Sequence, residues 1–411
     1  MKKRDVLFLC QYSYPEYNSS ATLPFDTATY LASQGKTVSI ICGYPKEYTE
    51  EKKVPLREEK NGVSIRRVRY LQLSRTGKIG RLINYFSFTM AAFLHIFALR
   101  KFRSVIVYSN PPILPVVTIL ANILFKTKFI FVAYDIYPEV AYISHSVEAG
   151  SKIDRVMRHI NHQLYKRASL VVALTEEMKQ FILVNRPEIP PERVCVISNW
   201  AHEGRQVSVS KPMQLFDYNE EQFIVSYFGN LGICQDIETI LSAIHILKDD
   251  TLIRFFIAGY GPKMAEFREK TKELDNIIIA DFMTGEKFEN AVAICSCCIV
   301  SLEPGLMGTC APSKYYSYLQ GGCPIISIAE DDSYLAKEVQ SEKIGFHVRN
   351  GDGAGLAAVI RELSHDQRLC LEMGHNAQNL YNNKYARHIA MQKYDDAVSQ
   401  LLHSDTLNGS A

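Results

Sequence analysis

Short apolar runs alternate along this chain with longer stretches in which apolar positions recur at helical spacing. Residues 5–10 (DVLFLC) form an apolar run between turn-prone residues, the pattern of a buried strand. A polar loop (QYSYPEYNSSA) follows, then a helical pattern over 24–34 that Gly35 stops. Further strands are predicted at 37–42, 104–109, 128–135, 169–174 and 194–199. Helical patterns cover 114–125 and 151–168, and Thr175-Glu176-Glu177 reads as another helix start. Residues 63–70 (VSIRRVRY) alternate apolar with basic side chains, as an edge strand does. Between 201 and 221 the chain is polar and aperiodic, which places a linker there. The rhythm then resumes, with strands at 223–229, 253–259, 276–282, 294–302 and 323–328. Helices are predicted at 236–248, 263–274, 313–320 and 355–363, and a final helical stretch over 370–403.

Strands alternating with helices imply parallel sheets covered on both faces. A length of 411 residues exceeds one ordinary core. The prediction is therefore an α/β protein with two Rossmann-like, doubly wound domains, 1–200 and 221–379. Such domains bind ligands beyond the carboxyl ends of their strands.

Composition narrows the function only by exclusion. The formal net charge of +2 gives no global attraction to nucleic acid. The amino terminus is basic (Met1-Lys2-Lys3-Arg4), but the apolar run after it is shorter than a secretory h-region. A cytoplasmic location with reduced thiols is expected for the ten cysteines. Cys295, Cys297 and Cys298 have the wrong spacing for a zinc knuckle and read as small buried thiols on a core strand. Charge is uneven locally. Over 57–103 there are eleven lysines and arginines against Glu58 and Glu59 alone, around an apolar stretch at 82–99. A surface that dips into an anionic leaflet fits this pattern. A buried helix with a solvated basic rim, or a spanning helix at the lower length limit, fits it too.

Three strand-to-helix loops in the second half are suited to an anion. Phe228-Gly229-Asn230-Leu231-Gly232 and Gly259-Tyr260-Gly261-Pro262 let backbone amides approach a phosphate. Ala311-Pro312-Ser313-Lys314 adds a hydroxyl and a positive charge at the start of a short helix. None matches a P-loop or a full G-x-G-x-x-G. In the first half, Asp135 ends a buried strand within Tyr134-Asp135-Ile136-Tyr137-Pro138-Glu139. It is placed either to bind or deprotonate a sugar hydroxyl or to cap the following turn. Asn110-Pro111-Pro112 ends the neighbouring strand.

With these motifs the chain resembles glycosyltransferase family four, the retaining GT-B enzymes, and among them those of bacterial capsule, O-antigen and exopolysaccharide synthesis. The resemblance rests on YPE at 14–16, YDIYPE at 134–139, ALTEEM at 173–178, ISNW at 197–200, FGNLGICQD at 228–236, AGYGP at 258–262 and PSKYYSYLQGGCPII at 312–326. It implies two domains with an interdomain cleft, the acceptor on the first, the donor on the second, and a last helix (381–403) returning to the first. It also implies metal-independent transfer, without a cofactor, from a nucleotide diphosphate sugar, most commonly a UDP-sugar, to a lipid-linked glycan at the inner face of the cell membrane. The implied catalytic residues are Asp135 and Glu303. The implied donor set is Gly229, Asn230, Gly232, Gln235, Gly261, Ser313, Lys314 and Ser317, and the acceptor side is Tyr14, Glu16, Asn110 and Glu139. Many relatives carry an arginine and a lysine where Asn230 and Gln235 stand, and two glutamates where Thr309 and Ser317 stand. Lys314 then becomes the replacement cation. These departures keep a non-catalytic scaffold open as an alternative, beside a nucleotide-sugar epimerase.

Overall fold

The computed structural model describes residues 3–46, 49, 53–73, 78–201 and 221–408. Apart from Ala201 and Glu221, the predicted linker lies outside them. The chain divides into two compact units, 1–199 with 308–311 and 388–411, and 200–307 with 312–387.

The first unit runs β1 (Arg4–Leu9), α1 (Ser19–Ser33), β2 (Val38–Gly43), β3 (Arg57–Lys60), β4 (Val63–Val68), α2 (Lys78–Phe93), α3 (Ile96–Leu99), β5 (Phe102–Tyr108), α4 (Pro115–Phe125), β6 (Lys128–Val132), α5 (Glu139–Ile143), α6 (Lys152–Arg167), β7 (Leu170–Ala173), α7 (Glu176–Asn185) and β8 (Val194–Val196). Its sheet order is β3-β4-β2-β1-β5-β6-β7-β8. Every pair is parallel except β3–β4. The order reverses between β1 and β5. That is where a doubly wound sheet leaves a crevice at its carboxyl edge. Strands β1, β5 and β6 are apolar on both faces because helices cover both.

Three expectations change here. Residues 63–70 are not the edge strand, because β3 pairs outside β4. β3 (REEK) has no apolar residue to betray it, yet Asn61-Gly62, both with positive φ, form the two-residue turn that closes the hairpin. The first helix starts at Ser19 rather than Pro24. The Asn18 carbonyl accepts the amides of Ala21 and Thr22, and Pro24 lies inside the helix. The apolar stretch at 82–99 breaks after Phe93 into α2 and α3. Among the described residues no helix is long and apolar enough to cross a membrane.

The second unit runs β9 (Phe223–Asn230), α8 (Glu238–Ile246), β10 (Ile253–Tyr260), α9 (Met264–Thr271), β11 (Ile277–Asp281), α10 (Gly285–Ala293), β12 (Cys297–Ser301), α11 (Lys314–Gln320), β13 (Ile325–Ala329), α12 (Tyr334–Ser341), β14 (Gly345–Arg349), α13 (Gly353–His365) and α14 (Gln367–Leu380). Its sheet is wholly parallel in the order β11-β10-β9-β12-β13-β14, with the reversal between β9 and β12. Cys297 and Cys298 are buried on β12, whereas Cys295 precedes the strand with its thiol 2.9 Å from Ser226 Oγ.

The final helical stretch is not continuous. A π-helical turn (Tyr381–Tyr385) and an extended Ala386 separate α14 from α15 (Arg387–Asn408). The break has an aromatic cause. The Tyr381 and Tyr385 side chains are buried, and the Tyr385 hydroxyl donates to the Glu338 carboxylate at 2.6 Å. Tyr315 donates to the same carboxylate at 2.7 Å and Lys384 at 2.6 Å. Replacing Glu338 with alanine strands two buried hydroxyls. It is expected to destabilise the protein by about 2–4 kcal/mol, read as a fall in the urea midpoint.

Candidate active site

At the carboxyl edge of the second sheet, β9 and β10 pair as far as Asn230 and Tyr260. The Leu231 amide then donates to the Tyr260 carbonyl at 2.7 Å, and the Lys263 amide to the Leu231 carbonyl at 3.1 Å. Gly261, at φ +131°, allows this approach. A Cβ there would stand 2.4 Å from Asn230 Oδ1 and 2.5 Å from the Leu231 carbonyl oxygen. The side chain of Gln235 closes the loop by accepting the Gly232 amide at 2.9 Å. Gly229, Asn230, Gly232, Gln235 and Gly261 therefore form one cluster.

Lys314 reaches this cluster from α11. Its Cε lies 3.9 Å from where a side chain on Gly229 would begin. Its Nζ sits 3.3 Å from the centre of the Tyr227 ring, and the Tyr227 hydroxyl donates to the Asn230 carbonyl at 2.9 Å. The helix is held by its tyrosines. The Phe228 amide donates to the Tyr318 hydroxyl at 2.8 Å, and Tyr315 is tied to Glu338. The ammonium itself is buried and has no hydrogen-bond partner. Burial alone therefore drives its pKa well below that of an ordinary lysine. Only the weak attraction of the ring opposes this.

Glu303 follows β12, and its carboxylate pairs with Lys263 at 2.7 Å. Lys263 also donates to the Gln235 carbonyl at 2.8 Å. Lys263 is a second cation at the glycine loops that sequence reasoning placed merely at a helix start. Its position directly after Gly261-Pro262 was the available signal. Ser313 and Ser317 flank Lys314 and are half-buried, and Ser317 accepts the Gly321 amide through its carbonyl.

In the first unit, Ser109 Oγ accepts the amides of Tyr134 and Asp135, both at 3.0 Å. Asp135 forms an isolated antiparallel bridge with Cys310, and the Ile136 amide donates to the Thr309 carbonyl at 2.8 Å. The backbone is thus fixed by groups other than the Asp135 carboxylate. Desolvation raises that carboxylate to a pKa of about 6. The turn-capping reading therefore fails to account for its side chain.

The other first-unit candidates lie on or directly after the loops that follow β1, β5 and β6. Glu139 is held by Arg186 in a bidentate pair at 2.8 and 2.9 Å. Arg186 is buried and also donates to the Tyr137 carbonyl at 3.1 Å. Tyr14 stacks on Phe25 at 5.1 Å and accepts Arg67 through its carbonyl at 2.7 Å. Glu16 is buried, and Asn110 reaches Ser20 Oγ at 3.5 Å. The loops bearing these residues each contain a cis proline, at Tyr14-Pro15, Asn110-Pro111 and Tyr137-Pro138. Among the described residues no group of three His, Cys, Asp or Glu could hold a metal ion.

Two family models match, the glycosyl transferase 4-like domain over residues 25–200 and the glycosyl transferases group 1 domain over 222–366. The chain belongs to glycosyltransferase family four. A probable glycosyltransferase of Pseudomonas aeruginosa, WbjE, is 25% identical over 301 residues, which cover 72% of this chain and 74% of that protein. Sucrose-phosphate synthase from Thermosynechococcus elongatus superposes with a TM-score of 0.74 at 14% identity, over 98% of this chain and 100% of that one. HepE from Anabaena, solved with UDP and glucose, gives 0.68 at 14% identity over the same shares. The fold of this glycosyltransferase is GT-B.

The state of Lys314 has a measurable consequence. Lys314→Met is expected to stabilise the unliganded protein by about 1–3 kcal/mol near neutral pH by removing an unpaired buried polar group. A lysine whose pKa is lowered on folding binds fewer protons folded than unfolded. Wild-type stability therefore rises with pH up to the unfolded value of about 10.4, and the advantage of the variant shrinks over that window. Thermal unfolding of both proteins across pH measures it.

Proposed function

We propose that this glycosyltransferase moves a sugar from a nucleotide diphosphate sugar, with UDP the leading nucleotide, onto a lipid-linked glycan in surface-polysaccharide synthesis. The observation that carries the reading is the buried, unpartnered Lys314 ammonium beside the glycine loop of β9. An uncompensated cation among close-approach backbone loops is complementary to a diphosphate. Its presence supports a transfer in which lysine and backbone amides, rather than a metal ion, hold the leaving group. Lys263, released from Glu303, is placed to add a second positive charge, and Glu303 is then free for a donor-sugar hydroxyl. Asn230 and Gln235 keep loop-building roles in place of the charges many relatives carry there.

The reaction is read as retaining. The bond from the anomeric carbon to the β-phosphate oxygen breaks, and the acceptor hydroxyl bonds to that carbon on the same face. The hydroxyl proton passes to the departing phosphate. Asp135, in the unit assigned to the acceptor, accepts a hydrogen bond from a sugar hydroxyl as its carboxylate, while the transferred proton goes to the phosphate. That HepE was solved with UDP and glucose supports a UDP donor here. The acceptor is placed at the cytoplasmic face of the cell membrane.

Two measurements test this. UDP at one hundred times its dissociation constant should stabilise the folded chain by about 2.7 kcal/mol, a rise of roughly 5–10 °C in the unfolding midpoint. Lys314→Met should abolish the rise. No shift with UDP, GDP, ADP or CMP would return the chain to the scaffold reading. Asp135→Asn should lower turnover by about 10²–10⁴-fold. Because Asp135 acts ionised, the wild-type rate should fall as pH drops through about 6, the value to which burial raises this carboxyl. The variant should lose that limb of the profile.

A further inference from the structure

The loop after β1 is polar in sequence yet enclosed in the structure. Gln11 and Ser13 are each 1% exposed, and Tyr12 and Glu16 each 5%. Loops ordinarily run over the surface, because enclosed polar groups need partners. The backbone of this loop has them. The Gln11 carbonyl accepts the Gly43 amide at 2.9 Å, the Ser13 carbonyl accepts the Glu16 amide at 3.0 Å, and the Tyr14 carbonyl accepts Arg67. Two side chains do not. Among the described residues, Gln11 Oε1 and Nε2 have no hydrogen-bond partner, and Ser13 Oγ has none either.

The sheet fixes where Gln11 stands. The Cys10 amide donates to the Ile41 carbonyl and the Gly43 amide to that of Gln11, so the pairing of β1 with β2 runs on through Gln11. Strand alternation then puts Gln11 on the face of Leu7 and Leu9. Leu9 is in register with Val107 of β5, and Val107 with Phe131 of β6. Two residues further along the three strands stand Gln11, Ser109 and Ala133. Gln11 therefore leaves β1 at the level of Ser109, whose hydroxyl holds the amides of Tyr134 and Asp135. The strand order reverses between β1 and β5. The crevice at such a reversal is where a doubly wound sheet takes its ligand.

A carboxamide presents an acceptor oxygen and two N–H donors side by side. Two neighbouring ring hydroxyls of a sugar fit both, one donating to Oε1 and the other accepting from Nε2. A phosphate or carboxylate would satisfy only the N–H side and set a negative charge against Oε1. A trans acetamido group points its N–H and C=O apart, so it meets one side or the other. Enclosing the group unpaired costs the unliganded protein stability, and a bound diol removes that cost.

We infer that Gln11 reads two neighbouring hydroxyls of the acceptor sugar, with Ser13 hydrogen-bonding the same sugar, and that this pair selects the acceptor. The Glu139 carboxylate, by contrast, is already held by Arg186. The inference rests on the reading of the first unit as the acceptor side.

The probes are the methyl glycosides of glucose, galactose, mannose, rhamnose, fucose and N-acetylglucosamine, and saturation-transfer NMR on the full chain with UDP present measures their affinity. Wild type is expected to bind at least one. Gln11→Met keeps the length of the side chain but removes both hydrogen-bonding atoms, and should weaken that glycoside about tenfold or more. Its unfolding midpoint should stay level or rise, because the replaced group has no partner in the fold. Ser13→Ala should weaken the same glycoside about threefold. Monodeoxy derivatives of the glycoside locate the contact. Loss of either of two adjacent hydroxyls should cost wild type about tenfold and cost Gln11→Met nothing further. Unchanged affinity in Gln11→Met, equal deoxy losses in both proteins, or no glycoside bound by wild type would overturn the assignment. A lowered midpoint in both Gln11→Met and Ser13→Ala would overturn it too, by making these groups supports of the fold. Stabilisation by UDP is measured on the same variants and should match wild type. A UDP response without glycoside binding sinks this inference and leaves the donor site standing, and glycoside binding without a UDP response does the reverse.

Discussion

Parallel pairing governs both halves of this molecule. A parallel strand cannot return through a hairpin, so each crossing needs a helix or long connection, and the helices cover both sheet faces. The central strands must then be apolar on both sides. Val6–Leu9 and Ile325–Ala329 are buried along their whole length. The same constraint sends every strand-to-helix loop to one edge of its sheet. Asp135 follows β6, Asn110 follows β5, Gly229 and Asn230 end β9, and Glu303 follows β12. The candidate residues gather at those edges because the loops that carry them do.

Burial then separates the charged groups by purpose. Glu139 and Arg186 are matched in a bidentate pair, and Glu338 is surrounded by donors. Such groups hold loops and helices in place. Asp135 and Lys314 differ, because desolvation acts on each without an opposite charge beside it, raising one pKa and lowering the other. Both groups are therefore pushed toward their neutral forms in the unliganded protein. Perturbed groups at strand ends are candidates for function on physical grounds, and a substrate that supplies the missing charge or hydrogen bond relieves the cost.

Helix α2 shows the same separation for apolar surface. Its inner side completes the core around Phe88, and Phe86, Met90 and Leu94 on its outer side are exposed. Arg67, of the hairpin, pairs with the Glu58 carboxylate.

Much of this was legible in the chain. The strand and helix rhythm, the two-unit division near residue 200 and the three glycine- or proline-marked loops all follow from local pattern, since parallel strands must be apolar and close-approach loops need glycine. The Asn61-Gly62 turn was not read, and β3 was missed because an exposed edge strand has no apolar periodicity. Pro24 misled because proline at a helix start is commoner than proline inside one. What no local pattern contains is which partner a charge or an apolar face meets. Glu139 finds Arg186 at a distance of 47 residues in sequence, and Lys263 finds Glu303 at 40. The apolar stretch at 82–99 was read as one helix, and its local pattern did not show the break after Phe93 or that one apolar side would remain in solvent. Sequence by itself determined the elements and the loops that could carry chemistry. Only the tertiary structure decided which charges are paired and which surfaces are covered, because desolvation and pairing depend on residues far apart in the chain.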